Sequence, residues 1–286
     1  MRIWSVEGNH QHLDGGAMFG NVPRALWQQW LPPDAFNRVR IANRSLIIDD
    51  LNGHTVLFES GSGAFPDPGL RNRFGIEADH NLLPDSLSAA GFSLQDIDVI
   101  VLSHLHFDHA GGLLTDWQDG HEAELLFPNA SYIIAATQWE RACRPHPRDR
   151  ASFIPRLQTL LDTAHRLELI DSDRSVTLGN DVQFRFSDGH TPGLMLSIIG
   201  GDGGLAYCSD LIPGRPWVHL PVTMGFDRYP EQLIDEKKVF LDELIQRKIR
   251  LAFCHDADCA LALPMRDERG RYRATDEYPA IDALEL

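Results

Sequence analysis

An α/β fold is what this sequence predicts, on three observations. Apolar runs of strand length alternate with stretches of helical period along the chain. Two pairs of such runs are joined by turn-forming residues, Asn52-Gly53 and Gly200-Gly201-Asp202-Gly203, as hairpins are. Histidines and aspartates gather directly after apolar runs, at the strand ends where α/β architectures collect ligand-binding loops.

Each element has its own signal. Residues 45–50 and 54–59 read as a hairpin, because Asn-Gly tolerates the left-handed backbone a tight turn requires. Residues 82–91 read as a helix closed by Gly91, and 99–102 as a strand that runs into Ser103-His104. A further strand is expected at 131–135, a helix at 153–165 and more sheet at 176–186. Residues 194–199 and 204–208 form the second hairpin. Residues 231–248 are an amphipathic helix with Leu233, Val239, Phe240, Leu241 and Leu244 inward, and 249–253 are a last strand leading to His255.

At 286 residues, 43% apolar and 23% charged, the chain has the composition of a globular protein able to bury a sizeable core. No repeat or long linker divides it, so one domain over residues 1–286 is expected. A net charge of −15 argues against nucleic acid, whose phosphate backbone needs a basic surface. No run approaches the ~20 apolar residues of a membrane helix, and the start is not a signal-peptide core, so the expected address is the cytoplasm. The expected partner is a small-molecule substrate, with a homodimer compatible. The four cysteines are too few and too irregularly spaced for a disulfide framework or a thiolate zinc site; Cys254, beside His255, reads as a small core residue.

The chemistry is concentrated in His104-Leu105-His106-Phe107-Asp108-His109. Neutral imidazole with carboxylate is a donor set for a borderline divalent ion such as zinc. Three more strand ends carry donors: Asp188-Gly189-His190-Thr191-Pro192-Gly193, Ser209-Asp210 and Cys254-His255-Asp256. Donors from separate strand ends can converge on one point. Taken singly, His190 or His255 would more often be a hydrogen-bonded core or surface histidine, and Asp210 a turn or cap. Together, in this order, they read as a metal constellation.

That set resembles the ligands of the metallo-β-lactamase superfamily over essentially the whole chain. The resemblance implies a four-layer αββα sandwich of two mixed β-sheets flanked by helices. It implies two divalent ions, zinc before manganese, cobalt or iron. His104, His106 and His190 would hold the first ion, Asp108, His109 and His255 the second, and Asp210 would bridge both. Such a pair shares a hydroxide that attacks the substrate, with Asp108 and Asp210 as the catalytic carboxylates.

The segment 14–23, with Leu26-Trp27 and Asn37-Arg38, is similar to the opening of quorum-quenching N-acyl-homoserine lactone lactonases of the YtnP type, as are 210–213 and 226–230. The implied activity is that of a metallohydrolase opening a lactone or cleaving an ester of a small neutral substrate. The alternatives are a phosphotriester or aryl-ester hydrolase of the same fold, or an iron-dependent thiol or persulfide oxidoreductase. Residues 10–45 and 211–230 are the expected active-site loops, with Met18, Phe19, Trp27, His219 and Tyr229 as candidate substrate contacts. Met18, Phe19 and Trp27 read equally well as core. The known lactonases are similar in placing a tyrosine shortly after the bridging aspartate, where this chain has Leu211-Ile212-Pro213-Gly214, so either Tyr229 supplies a phenol from elsewhere or none is needed.

Overall fold

A computed structural model describes all 286 residues. The chain opens with β1 (Arg2–Glu7), β2 (Gln11–Asp14), the short helices α1 (Gly15–Phe19) and α2 (Arg24–Trp27), and β3 (Arg38–Ile41). The hairpin β4 (Arg44–Leu51) and β5 (His54–Phe58) follows, then α3 (Pro68–Phe74), α4 (Leu83–Ala89), β6 (Val99–Val101) and α5 (Phe107–Ala110). Next come β7 (Ser131–Ala135), α6 (Ala136–Cys143), α7 (Pro155–Ala164) and β8 (Leu167–Ile170). The remainder is β9 (Val182–Ser187), β10 (Leu194–Ile199), β11 (Leu205–Tyr207), α8 (Pro230–Arg247), β12 (Arg250–Ala252), β13 (Leu261–Arg266), β14 (Tyr272–Tyr278) and β15 (Leu284–Glu285).

Two mixed sheets result. One has the strand order β15-β1-β4-β5-β6-β7-β8, the other β14-β13-β12-β11-β10-β9, with β2 and β3 paired apart. β5 to β8 run parallel, as do β11 and β12, so their C-terminal ends share an edge within each sheet.

Three apolar clusters define the layers. One lies between the sheets, where Ile48, Phe58 and Val101 meet Phe184, Met195 and Tyr207. A second packs Leu87 of α4 and Leu157 and Leu161 of α7 on Ile47, Ile100 and Tyr132. The third packs Leu233, Leu241 and Leu244 of α8 on Leu196, Ala206 and Leu251. This is the αββα sandwich. No helix is long and apolar enough to cross a membrane.

Local signals account for most boundaries. Asn52 and Gly53 take φ of 51° and 80°, the pair of left-handed residues that matches a hairpin to strand twist. α7 stops at His165, which caps it in the left-handed conformation. Two expectations are corrected. The strand expected from residue 176 begins only at Val182, because the Glu168 carboxylate accepts from the Ser175 hydroxyl and the Val176 amide and folds that stretch into a turn. Val239 is not inward but 69% exposed; the buried stripe of α8 is Leu233, Lys237, Phe240, Leu241 and Leu244.

Candidate metal centre

The donors arrive from both sheets. β6 ends on Val101 and delivers His104 and His106, and the single turn of α5 redirects Asp108 and His109. From the other sheet, His190 follows β9, Asp210 sits in a tight turn after β11, and His255 follows β12. Short strands with rigid partners hold each donor near its own strand end.

The structure brings all seven together. Donor atoms of His104, His106 and His190 lie within 4.8 Å of one another, as do those of Asp108, His109 and His255. Between the two groups stands Asp210. Its Oδ2 is 3.1 Å from His190 Nε2 and 3.9 Å from His104 Nε2, while its Oδ1 is 3.1 Å from His255 Nε2 and 3.3 Å from His109 Nε2. One carboxylate oxygen therefore faces each group. Asp108 Oδ2 is 3.8 Å from His255 Nε2, and its side chain, at 15% exposed, is the most open of the set.

Burial and mutual charge set the electrostatics. Burial first, then the neighbouring imidazoles, hold His104 and His106 well below the ordinary histidine range. Burial also pulls on His109, but Asp210, Asp108 and Glu59 together outweigh it and raise that ring well above the range. For Asp210 burial opposes ionisation, and His109, His255 and His190 overcome it, leaving the carboxylate well below its usual range. The cluster thus contains an ionised carboxylate among crowded imidazoles.

Crowding of this kind fits bound cations. His190 Nε2 lies 3.3 Å from His106 Nδ1, and His255 Nε2 lies 3.2 Å from His109 Nε2. The buried His104 Nε2 and His106 Nε2 have no hydrogen-bond partner. Converging lone pairs and unpartnered buried nitrogens cost stability unless a shared electrophile satisfies them. Imidazole and carboxylate together suit zinc, manganese, cobalt or iron.

Several supporting residues were not foreseen. Glu59, at the end of β5, accepts from Ser103 N at 2.9 Å and faces His109 Nδ1 at 3.5 Å. Asp227 Oδ1 meets His190 Nδ1 at 2.9 Å. The Ser103 hydroxyl meets His104 Nδ1, and the Ala42 carbonyl accepts from His255 Nδ1. Cys254, a buried core residue, also lies with its Sγ 3.7 Å from Asp210 Oδ1. For Glu59 the available signal was an acidic residue closing a strand before Ser60-Gly61-Ser62-Gly63; Asp227 sits in a segment with no local metal motif.

The expected substrate contacts divide. Met18, Phe19 and Trp27 are at most 1% exposed and belong to the core: Phe19 stacks between Trp27 and Trp217, with centroids 5.4 and 4.7 Å away. Of the two readings the core one holds, and their placement as substrate contacts is corrected, because their faces are taken up by one another and by Trp217. His219 lines a cavity of 290 Å³ with Trp30, Arg215 and Tyr272, and none of the seven donors lines it. Tyr229 is 47% exposed, and its amide donates to Gly189 O, one residue before His190.

Known proteins share these features. The sequence pattern of the metallo-beta-lactamase superfamily matches residues 40–119. An N-acyl homoserine lactonase, AiiA, of Bacillus thuringiensis subsp. kurstaki is 31% identical over 107 residues, 37% of this chain and 34% of that protein. A lactonase of Bacillus cereus aligns over the same extent. The match thus spans about a third of the length of these curated relatives. A probable metal-dependent hydrolase from Staphylococcus aureus superposes with a TM-score of 0.82 at 25% identity, covering 96% of both chains. AidC, a dizinc quorum-quenching lactonase solved with its product N-hexanoyl-L-homoserine, superposes with a TM-score of 0.72 at 25% identity, covering 96% of this chain and 94% of AidC. The chain thus has the fold of these metal-dependent hydrolases and, over residues 40–119, the sequence pattern of the metallo-β-lactamase superfamily. Quorum-quenching lactonases are among the proteins it is similar to, in part of its sequence and in fold.

Proposed function

We propose that the protein is a dinuclear metallohydrolase that opens lactones or cleaves esters of small neutral substrates, N-acyl-homoserine lactones among them. The observation that carries this reading is the division of the Asp210 carboxylate, one oxygen toward His104 and His190 and the other toward His109 and His255. That arrangement suits two ions, held by His104, His106 and His190 and by Asp108, His109 and His255, with Asp210 shared. Two divalent ions there would supply a water acidified towards neutral pH and a Lewis acid for the scissile carbonyl.

The chain's own residues do the rest. Asp210, ionised throughout the working range, balances cationic charge at the reacting centre. As the water oxygen bonds to the acyl carbon and the bond to the alkoxy oxygen breaks, the leaving alkoxide needs a proton. Asp108, the most open carboxylate of the cluster, is placed to carry it.

A cleft of 330 Å³ that reaches the site through Phe107 and Phe153 supports an acyl substrate. Phe65, Leu70, Phe74, Phe107, Phe153 and Ile154 line it. Phe153 also stands edge-on to the His106 ring at 4.9 Å, and Phe107 lies within the ligand motif and stacks on Phe74 at 4.1 Å. Apart from Arg73 the lining is apolar or small, and a groove of that kind beside the His106 ring suits an alkyl arm. Tyr229 remains the candidate phenol for the substrate carbonyl.

The test is a panel of lactones, aryl esters, phosphotriesters and thiols on metal-reconstituted protein, with metal content measured. Two equivalents of metal and lactone or ester turnover are expected, with Asp210→Asn and His109→Ala abolishing it. A fully active metal-free preparation would sink the reading, and thiol-dependent oxygen uptake would replace it with the oxidoreductase alternative.

A further inference from the structure

The two proposed metal positions are not supported alike. His104 Nδ1 meets the Ser103 hydroxyl at 2.9 Å and His255 Nδ1 the Ala42 carbonyl at 2.7 Å, both neutral partners. His109 Nδ1 faces the Glu59 carboxylate, but at 3.5 Å, beyond a good hydrogen bond. Among the ligand histidines, only His190 has a carboxylate in contact with its Nδ1, Asp227 Oδ1 at 2.9 Å.

Asp227 is itself fixed. It is 3% exposed, and its Oδ2 accepts from Met224 N at 2.6 Å, which closes the loop on itself. Arg148 donates to Gly225 O at 2.9 Å and Asp227 O at 3.2 Å, and Arg228 N donates to His190 O at 3.2 Å. The loop before α8 and the His190 turn are therefore one hydrogen-bonded unit, joined through a buried carboxylate.

We infer that Asp227 is a positioning residue that makes the His104, His106 and His190 position the tighter of the two, and that ties the 223–229 loop to its occupancy. The inference rests on the dinuclear reading above. A carboxylate on Nδ1 holds the proton there, leaves Nε2 as a fixed and more basic donor, and orients the ring. The Asp108, His109 and His255 position has no such carboxylate in contact, so removing Asp227 acts on one position and spares the other.

Zinc-loaded wild type, Asp227→Asn and Asp227→Ala are titrated with a chromophoric chelator, with thermal melts of the metal-free forms as a check on folding. In Asp227→Ala one equivalent should leave at roughly 10- to 100-fold lower chelator concentration while the other stays at its wild-type value. Asp227→Asn, near-isosteric and still an acceptor for the His190 N–H, should fall between and keeps the test open should the alanine variant not fold. Arg148→Gln loosens the loop but leaves the carboxylate, and should retain both equivalents. Folded variants that release both equivalents together, or show no shift in either, overturn the inference. A wild type that never binds two equivalents instead sinks the dinuclear reading and takes this one with it.

Discussion

Gly112, three residues past the last donor of the histidine motif, lies so close to a neighbouring strand end that a methyl group built on it would meet Ser60 O at 1.9 Å. A backbone oxygen cannot swing aside as a side chain can. The close approach seats α5 against the 59–63 loop, so that Gly112 N donates to Gly61 O and the Ser60 amide to His109 O. Gly112→Ala should therefore cost about 1–3 kcal/mol, in the range of other overpacking substitutions, read as a lowered denaturant midpoint at unchanged m-value. The donors themselves were legible in the sequence, since each follows an apolar run and four lie within one hexapeptide. Their supports were not, because Glu59 and Asp227 reach His109 and His190 across 50 and 37 residues through contacts that no local pattern encodes. Phe19 stayed undecided between core and substrate contact for the same reason: Trp217, its stacking partner, lies 198 residues further along the chain.

α8 shows how a single helix can be read correctly in kind and wrongly in detail. Its ends and apolar character follow from the sequence, but the buried stripe at 233, 237, 240, 241 and 244 includes a lysine and leaves out Val239. Lys237 is 0% exposed and donates to Trp217 O at 3.1 Å and Val222 O at 2.6 Å, pinning the 217–222 segment to the helix. Burial pulls its pKa down from 10.5 to about 7. A neutral amine still has two N–H groups for these two carbonyls. Between pH 7 and 10.5 the unfolded chain holds a proton here that the folded one has given up, so this group's contribution to stability rises with pH and is least favourable below pH 7. Melting temperatures from pH 7 to 9 should rise more in wild type than in Lys237→Met. The variant should also show a pH-independent loss from its two orphaned carbonyls, and parallel curves would contradict the assignment. The apolar cleft belongs to this scale too, since it is shared by α3, α5 and the start of α7. Phe107→Ala should lower kcat/KM for long-chain acyl lactones more than for short-chain ones, through KM, in a chain-length series.

For the molecule as a whole, the α/β class was accessible because helical and strand periods alternate, and the αββα layering because the metal motif carries a family resemblance. The C-terminal strands β13 to β15 were not foreseen: β14 has no alternation of buried and exposed positions to reveal it. Fold and site meet in the way donors are shared between the sheets. Bound ions should add stability by linkage, so chelation should lower the melting temperature by an amount that grows with the free metal concentration replaced. A preparation whose melting is indifferent to chelator would contradict a site built from these donors.

The same division of donors has a kinetic side. His104, His106, Asp108 and His109 come from the sheet that contains β6, and His190, Asp210 and His255 from the one that contains β9, β11 and β12, so the site exists only once the two sheets have docked face to face. If that docking completes after the rate-limiting step of folding, metal gains nothing in the transition state and everything in the native state. Stopped-flow measurements should then find a refolding rate insensitive to zinc and an unfolding rate slowed by it. The ions would work as a latch across the sandwich, one that keeps the assembled protein from opening and has no part in bringing it together.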